Sequence, residues 1–259
     1  MIINQLNFRG TMHSFLKRIT KFSNKSQHKW GKSDLDGRLI ILPELEAIYI
    51  PIPKVACSSL KKAFAEALDI DLSLVKSKDK SIHQIYFPYI FADEISGYSQ
   101  YFKFAFVRNP WDRLVSCYKD KIKSDRDYVG RRNLFVEGVH RGLVQYGVFR
   151  AGMPFDEFVQ AISEIPDSES DPHFRAQYTF LVDENGSMLV DFIGRFEQLS
   201  NDFAELCKEL EISSLSLPHT NKTNKSGQKA YVKYYTTPLR ELVRERYSKD
   251  IETLGYDFH

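Results

Sequence analysis

The stretch YIPIPKVACSSLKKAF, from Tyr49 to Phe64, contains the transition that decides the fold. Its first part is apolar and β-branched, which favours a strand over 47–52, and its last part has the spacing of a helix over 58–68. Pro53, a lysine and two serines lie in and around the junction. A strand that turns directly into a helix directs backbone N–H groups and the helix N-terminus at one point, which favours a bound anion.

The residue types at this turn suit a phosphate group. Lys54 supplies a positive charge, and Ser58 and Ser59 supply hydroxyl donors. The turn differs from the phosphate loop of kinases, GxxxxGK[ST], because no glycine lies between Gly37 and Gly97. The alternative interpretation is an ordinary strand-to-helix turn with serine caps.

Composition narrows the class of protein. The chain has 259 residues, of which 42% are hydrophobic and 14% aromatic, as in a globular protein with a substantial core. A net charge of +2 does not favour nucleic-acid binding but allows a local basic groove. We expect no disulfide framework and no metal site, because the three cysteines include no CxxC pair. We predict a cytoplasmic location, since no transmembrane segment and no signal-peptide core is seen.

Further strand–helix units follow along the chain. The aromatic segment YFKFAFV (101–107) predicts a strand, and Asn109 with Pro110 predicts the start of a helix that runs to about Lys123. A second unit combines a strand over Met188–Ile193 with a helix over Glu197–Leu210. This alternation predicts an α/β fold, a central parallel sheet flanked by helices, whose ligands lie beyond the carboxyl ends of the strands.

The remaining segments complete one domain. Helical spacing occurs in three more places, Phe155–Ile162, Pro238–Arg246 and Lys249–Leu254. The polar, basic segment Ser213–Lys229 predicts a surface loop. Residues 1–44 are weakly patterned, so we interpret them as an N-terminal extension of a single domain over residues 45–259.

A second anion-binding element is FVRNPWDRLVSCYKDK, from Phe106 to Lys121. Arg108 stands at a predicted strand end, where its guanidinium could bind a phosphate through two hydrogen bonds. Ser116 on the following helix adds a hydroxyl donor. The alternative is that Arg108 pairs with a carboxylate and that Ser116 is merely a small helix residue.

Taken together, the two elements resemble the carbohydrate sulfotransferases of sulfotransferase family 2, which use 3′-phosphoadenosine-5′-phosphosulfate (PAPS). PKVACSSLK resembles their loop for the 5′-phosphosulfate, and FVRNPWDRLVSCYKDK resembles their element for the 3′-phosphate. The segments DFIGRFEQLSNDF (191–203) and YYTTPLRELVRERYSKDIETLGYDF (234–258) also match. The resemblance covers roughly residues 48–258 and is closest to the Golgi group acting on chondroitin, dermatan and related glycans and to bacterial relatives.

The resemblance implies a P-loop-like sulfotransferase fold, PAPS as the donor, 3′,5′-adenosine bisphosphate (PAP) as the product, a carbohydrate acceptor, and no metal. An anionic polysaccharide is one candidate acceptor. Lys54 would contact the phosphosulfate and stabilise the leaving phosphate, while Arg108 and Ser116 would hold the 3′-phosphate. The 5′-phosphate would be held by the serines and the backbone of Val55, Ala56, Cys57, Ser58 and Ser59. The loop residues implied to close over the donor are Lys222, Thr223 and Lys225.

Transfer to a hydroxyl also requires a general base, and histidine suits this role near neutral pH. His83 lies where the uronyl 2-O-sulfotransferase branch has a catalytic histidine, and His173 in DPHFRAQY matches a His-x-x-x-Gln stretch of the Golgi group. Both stay open, beside the alternative that either one orders a buried hydrogen-bond network. Arg175 and Gln177 are candidate acceptor contacts, whereas His140 is assigned to a polar helical stretch and set aside.

Three other functions are compatible with parts of the sequence. A nucleotide-binding kinase would need a glycine-rich loop and a carboxylate for magnesium. A non-catalytic protein could bind PAPS or PAP without turnover, and a sulfotransferase could act on an acceptor that is not a glycan. We interpret Cys57 as a packed residue, because no partner histidine stands at a spacing typical of nucleophilic catalysis, and Trp111 as a core residue.

Overall fold

The computed structural model describes residues 37–67, 87–123, 134–212, 215, 217 and 230–259. Several predicted site residues lie outside these ranges, namely His83, Lys222, Thr223 and Lys225. Most of the predicted loop over 213–229 lies outside them as well.

The strands of the described residues form a five-stranded sheet and a small hairpin. In chain order they are β1 (Arg38–Leu42), β2 (Ala47–Ile50), β3 (Tyr89–Phe91), β4 (Phe102–Val107), β5 (Phe135–Val136), β6 (Val139–His140) and β7 (Phe192–Arg195). The large sheet has the order β3-β1-β2-β4-β7, and β5 pairs with β6.

The large sheet is mixed, and its parallel strands are those of the predicted strand–helix units. β2, β4 and β7 run parallel to one another, whereas β1 runs antiparallel to both β2 and β3. The predicted α/β class is confirmed, but the sheet is not wholly parallel. β1 joins β2 through the 3-10 helix Pro43–Leu45, and so short a connection allows only an antiparallel pair. β1 was not predicted, and it lies within the segment interpreted as an extension.

Helices pack around this sheet. They are α1 (Cys57–Ala67), α2 (Pro110–Lys121), α3 (Arg141–Val144), α4 (Phe155–Ser163), α5 (Tyr178–Leu181), α6 (Leu199–Glu209), α7 (Thr237–Arg246) and α8 (Ser248–Leu254). The part of the chain that the structure describes also contains 3-10 helices at Pro43–Leu45, Ala92–Tyr98, Phe196–Gln198 and Val232–Tyr234. The helices predicted within the described residues are confirmed, with ends that differ by at most two residues.

One strand lies further along the chain than predicted. The strand predicted over 188–193 begins only at Phe192, where the register with β4 starts at Phe104. Its first half pairs elsewhere, because Met188 forms a bridge with Val182 and the N–H of Leu189 donates to the Leu181 carbonyl at 2.8 Å.

Buried apolar side chains of the described residues form two core clusters. One surrounds the sheet and contains the fully buried rings of Tyr49 and Phe104. The other lies among α2, α4 and α7 and contains Trp111, fully buried as predicted, with Phe158 and Val243. The N-terminal end of α2 follows directly on β4, so this helix joins the sheet to the helical cluster.

Candidate active site

The loop between β2 and α1 has an unusual backbone. Lys54 has φ of 71° and Ala56 has φ of 55°, the left-handed region that residues other than glycine rarely adopt. Such conformations cost about 1–3 kcal/mol each and persist only where the surroundings impose them, often at functional sites. The conformation that glycines provide in kinase loops is therefore enforced here by neighbouring groups.

Donors from three residues hold the carbonyl groups of this loop. The Cys57 thiol donates to the Ile52 carbonyl at 2.8 Å, Arg113 Nε donates to Pro53 at 3.0 Å, and Arg108 Nη1 donates to Lys54 at 3.0 Å. The loop is thus preorganised by protein groups, the arrangement expected of a site that stabilises charge. Burial raises the pKa of the Cys57 thiol, which agrees with a packed residue and not a nucleophile.

Lys54 faces a carboxylate on α2. Its Nζ lies 3.1 Å from Asp120 Oδ2, which also lies 3.4 Å from Lys121 Nζ. Burial alone would raise the pKa of Asp120, but the charges of Lys54 and Lys121 and the hydrogen bond from Lys54 outweigh it, and the pKa falls well below its usual range. Asp120 is therefore an anion that holds the lysine ammonium at the cleft.

Arg108 follows β4 and is held from several directions. Its Nε and Nη2 contact Asp112 Oδ2 at 2.9 and 2.8 Å, and its guanidinium lies 4.0 Å from the ring centre of Phe196. Because Nη1 bonds to the Lys54 carbonyl, the strand-end arginine and the loop form one unit. The carboxylate pairing that the sequence allowed is present, and it keeps the guanidinium in place beside the loop.

These two elements meet at one cleft of about 330 Å³. The side chains that line it are Lys54, Arg108, Asp112, Val115, Ser116, Lys119, Asp120 and Lys123. Four of them are basic and two are acidic, so the cleft has an excess of positive charge, which suits an anionic ligand. The structure thus brings Lys54, Arg108 and Ser116 together, although more than 50 residues separate the first two along the chain.

His173 lies beside this cleft as one half of a carboxylate–histidine pair. Its Nδ1 lies 2.6 Å from Asp171 Oδ1, and its backbone N–H donates to the same oxygen at 2.9 Å. With the Nδ1 proton directed at Asp171, the lone pair is on Nε2. Burial lowers the pKa of His173, and the charges of Lys121 and Lys54 lower it further against the opposing effect of Asp171. His173 is therefore neutral and able to accept a proton at neutral pH.

His140 also belongs to this region, so its assignment to a polar helical stretch was wrong. It ends β6, and its Nδ1 lies 3.2 Å from the backbone nitrogen of Gly142, at the start of α3. Its ring centre lies 6.0 Å from that of His173. The dipeptide Glu137–Gly138, in which both residues have positive φ, forms the preceding hairpin turn and was the missed sequence signal.

Arg113 is a buried residue near the site that was not predicted. Arg113 is 2% exposed and donates to the carbonyls of Pro53 (3.0 Å), Pro172 (2.9 Å) and Arg175 (2.8 Å), so it ties the Lys54 loop to the His173 segment. The residue type of Arg113 gives no indication that it is buried, because arginines are usually exposed.

Gln177 is also fully buried. Its Oε1 accepts the N–H of Arg108 at 2.9 Å, and its Nε2 donates to the Arg108 carbonyl at 2.8 Å and to Asp250 at 3.3 Å. Gln177 therefore lies in the interior and holds the backbone of Arg108. The other predicted acceptor contact, Arg175, is partly exposed, and its side chain donates to the Ser170 carbonyl at 2.8 Å.

An α/β sheet with a basic cleft beyond two parallel strands is the arrangement expected of proteins that bind phosphate-like anions, and comparison with known proteins shows the family. A family model described as "Sulfotransferase family" matches residues 37–257, and the chain belongs to this family. The family membership predicted from the sequence is thereby confirmed. None of the helices in the described part of the chain has the length and apolar character that a bilayer crossing requires.

The chain is similar to curated carbohydrate sulfotransferases. It is 26% identical over 252 residues to carbohydrate sulfotransferase 14 of Danio rerio. The alignment covers 90% of this chain and 67% of that protein. The chain is 30% identical over 171 residues to the Homo sapiens protein of the same name, covering 63% of this chain and 44% of the relative. Carbohydrate sulfotransferase 9 of Homo sapiens is 23% identical to the chain over 273 residues. This alignment covers 94% of this chain and 58% of that protein.

The aligned regions therefore span from under a half to about two thirds of these relatives. No solved structure matches the chain. All three relatives are vertebrate proteins. The cytoplasmic location stays a prediction.

Proposed function

We propose that the chain transfers a sulfuryl group from PAPS to a hydroxyl of a carbohydrate acceptor. The observation that carries this proposal is the single basic cleft where Lys54, Arg108 and Ser116 meet. Family membership supports sulfuryl transfer, and the printed names of the relatives support a carbohydrate acceptor.

The cleft offers cationic and hydroxyl groups for both phosphate positions of this donor. The preorganised loop and Lys54 would hold the 5′-phosphosulfate, while Arg108 and Ser116 would hold the 3′-phosphate. The planar guanidinium of Arg108 before α2 and the hydroxyl of Ser116 on α2 suit a phosphate monoester, which accepts several hydrogen bonds. Recognition of this second phosphate would distinguish PAPS from ordinary adenine nucleotides.

The proposed step is an in-line displacement at sulfur. The bond from sulfur to the acceptor oxygen forms while the bond from sulfur to the 5′-phosphate oxygen breaks. The acceptor proton goes to the general base, and the electron pair of the broken bond stays on the 5′-phosphate of PAP, where Lys54 stabilises it. As in phosphoryl transfer, the protein contributes chiefly positioning and charge stabilisation.

Among the described residues, the geometry favours His173 as the base. Asp171 orients its ring, and its lowered pKa keeps Nε2 free of a proton at neutral pH. The same charge of Lys54 that would stabilise the leaving oxygen acts on His173, which implies that the two groups lie near each other. His83 lies outside the described residues and remains the alternative base.

The acceptor would approach from the His173 side. Arg175, partly exposed on the same segment, is retained as the proposed contact for an anionic polysaccharide. Gln177, with its amide bonded to Arg108 and Asp250, would act by positioning Arg108.

The proposal is tested by incubating the protein with PAPS labelled in its sulfuryl group. The acceptors are desulfated glycosaminoglycans, bacterial polysaccharides and small glycosides, with Lys54→Ala as the matched control. We expect label transfer to at least one carbohydrate by the wild type and none by the variant. Tight PAP binding without transfer to any acceptor would instead favour a non-catalytic binding protein, and a magnesium requirement would favour the kinase alternative.

A further inference from the structure

Lys121 is a buried lysine that the proposed chemistry does not use. It occupies the last turn of α2 and is 4% exposed. Its Nζ lies 3.4 Å from Asp120 Oδ2 and 3.2 Å from His140 Nε2. Removing an ammonium group from water is costly, and a buried one needs partners that compensate for the loss. Lys121 therefore occupies a position that packing alone does not explain.

The contacts of Lys121 connect the two sides of the cleft. On one side, its partner Asp120 also binds Lys54 at 3.1 Å. On the other side, its partner His140 lies with its ring centre 6.0 Å from that of His173. Polar contacts therefore link Lys54, Asp120, Lys121 and His140 in series, and the ring of His140 lies edge-on to that of His173, the proposed base.

We propose that Lys121 is a positioning residue for the transfer reaction, one whose buried charge acts on His140 and His173. This inference rests on the proposed function, in which His173 accepts the proton of the acceptor hydroxyl. Lys121 itself lies behind Asp120 and His140, so it acts through them and through its electrostatic field.

The titration behaviour of both histidines agrees with this role. Burial lowers the pKa of His140 to about 4, and the charge of Lys121 is the next contribution in the same direction. Burial also lowers the pKa of His173, and among the surrounding charges Lys121 lowers it more than Lys54 does. A nearby positive charge disfavours the protonated ring, so Lys121 keeps His173 neutral at pH values where a free histidine would be charged.

The balance at His173 involves groups from every side. The titratable and charged groups that act on it or lie beside it are Lys54 of the loop, Asp120 and Lys121 of α2, His140 of β6 and Asp171 of its own segment. Asp171 favours the charged ring, while Lys54 and Lys121 oppose it. Removal of the Lys121 charge leaves Asp171 less opposed, and the pKa of His173 must then rise.

The direct test is an NMR titration of the histidine rings, assigned with a His173→Asn variant. In Lys121→Met, we expect His173 to titrate at higher pH than in the wild type, by about one pH unit. Lys121→Arg keeps the charge and should restore the wild-type titration. Lys208→Met removes an exposed lysine on α6 and should leave His173 unchanged.

An unchanged His173 titration in Lys121→Met would overturn the inference, and so would an equal shift in Lys121→Arg, since the effect would then follow from packing. If Lys121→Met does not fold, Lys121→Gln provides the same comparison with a polar side chain. Circular dichroism establishes which variants are folded.

A kinetic test adds a second measurement. The low-pH limb of kcat/KM should move to higher pH in Lys121→Met, because a base with a raised pKa loses its neutral form at higher pH. Failure of the proposed function is distinguishable from failure of this inference. A wild type that transfers no sulfuryl group but shows the NMR shift refutes the function and leaves the electrostatic role intact, whereas an active enzyme without the shift refutes the role.

Discussion

The two sides of the cleft are built in different ways. The donor side consists of two strand–loop–helix units in which Lys54, Arg108 and Ser116 stand close to the strand ends of β2 and β4. The histidine side takes His140 from the end of a hairpin and His173 from a segment without regular structure. On both sides the local chain sets the position of each group within its own segment, and contacts between distant segments, such as those of Arg108 and Arg113 with the Lys54 loop, bring the segments together.

Arg113 and Lys121 join these two sides from the same helix. Arg113 binds carbonyl groups of Pro53 and Pro172, one on each side. Lys121 contacts Asp120, the partner of Lys54, and also His140. Helix α2 therefore does more than carry Ser116: its buried side chains Arg113 and Lys121 connect the Lys54 loop with the segments of His173 and His140.

The largest effect is expected for Lys54→Ala. Loss of the charge at the leaving phosphate should lower kcat by about 10²- to 10³-fold or more, as for other groups that stabilise developing charge. Sulfuryl transfer is measured with labelled PAPS, and circular dichroism should show an unchanged fold. Turnover within a few-fold of the wild type would remove Lys54 from the mechanism.

Substitution of the general base should have a somewhat smaller effect on kcat, and it tests which of His173 and His83 has this role. His173→Gln should lower kcat by about 10²-fold, the usual contribution of general-base catalysis, with little change in PAP affinity. His83→Gln is the matched comparison. If His83→Gln produces the loss and His173→Gln does not, the base comes from the segment outside the described residues.

Arg108→Ala should act on binding more than on turnover. Loss of charge-assisted hydrogen bonds to the 3′-phosphate should raise the Kd for PAP by about 10- to 100-fold. Calorimetry with PAP measures this change, and adenosine 5′-phosphate, which lacks the 3′-phosphate, serves as the control ligand. An equal loss for both ligands would show that Arg108 acts through the Lys54 loop, to whose carbonyl it donates.

Ser116→Ala should have the smallest effect. One neutral hydroxyl donor contributes about 0.5–1.5 kcal/mol, so the Kd for PAP should rise about two- to tenfold. The same calorimetric titration tests it. A change as large as that of Arg108→Ala would mean that Ser116 also stabilises α2, the helix that follows Arg108.

Much of the donor side was predictable. Asn109 caps α2 as its residue type predicts, with its Oδ1 accepting the N–H of Trp111 at 3.1 Å. The strand-to-helix junctions around Lys54 and Arg108 were also predicted, because apolar periodicity and capping are local properties of the chain. The positive φ of Lys54 and Ala56 was not, since nothing in a lysine or an alanine indicates that conformation.

The histidine side was predicted only in part. His173 was named through a resemblance, but its pairing with Asp171 appears only in the folded segment. His140 was set aside because it was assigned to a polar helical stretch, and the hairpin turn at Glu137–Gly138 that precedes it was missed. The burial of Lys121 and Arg113 contradicts the general tendency of their residue types.

The sequence therefore determined the α/β class, six of the eight α-helices of the described residues and the family, because these follow from short-range periodicity, caps and residue types at strand ends. Tertiary structure decided the antiparallel β1, the meeting of Lys54 with Arg108 and the charge cluster formed by Asp120, Lys121, His140 and His173. These depend on which distant segments pack together and on how far burial and neighbouring charges shift each pKa, and neither is encoded in the spacing of residues along the chain.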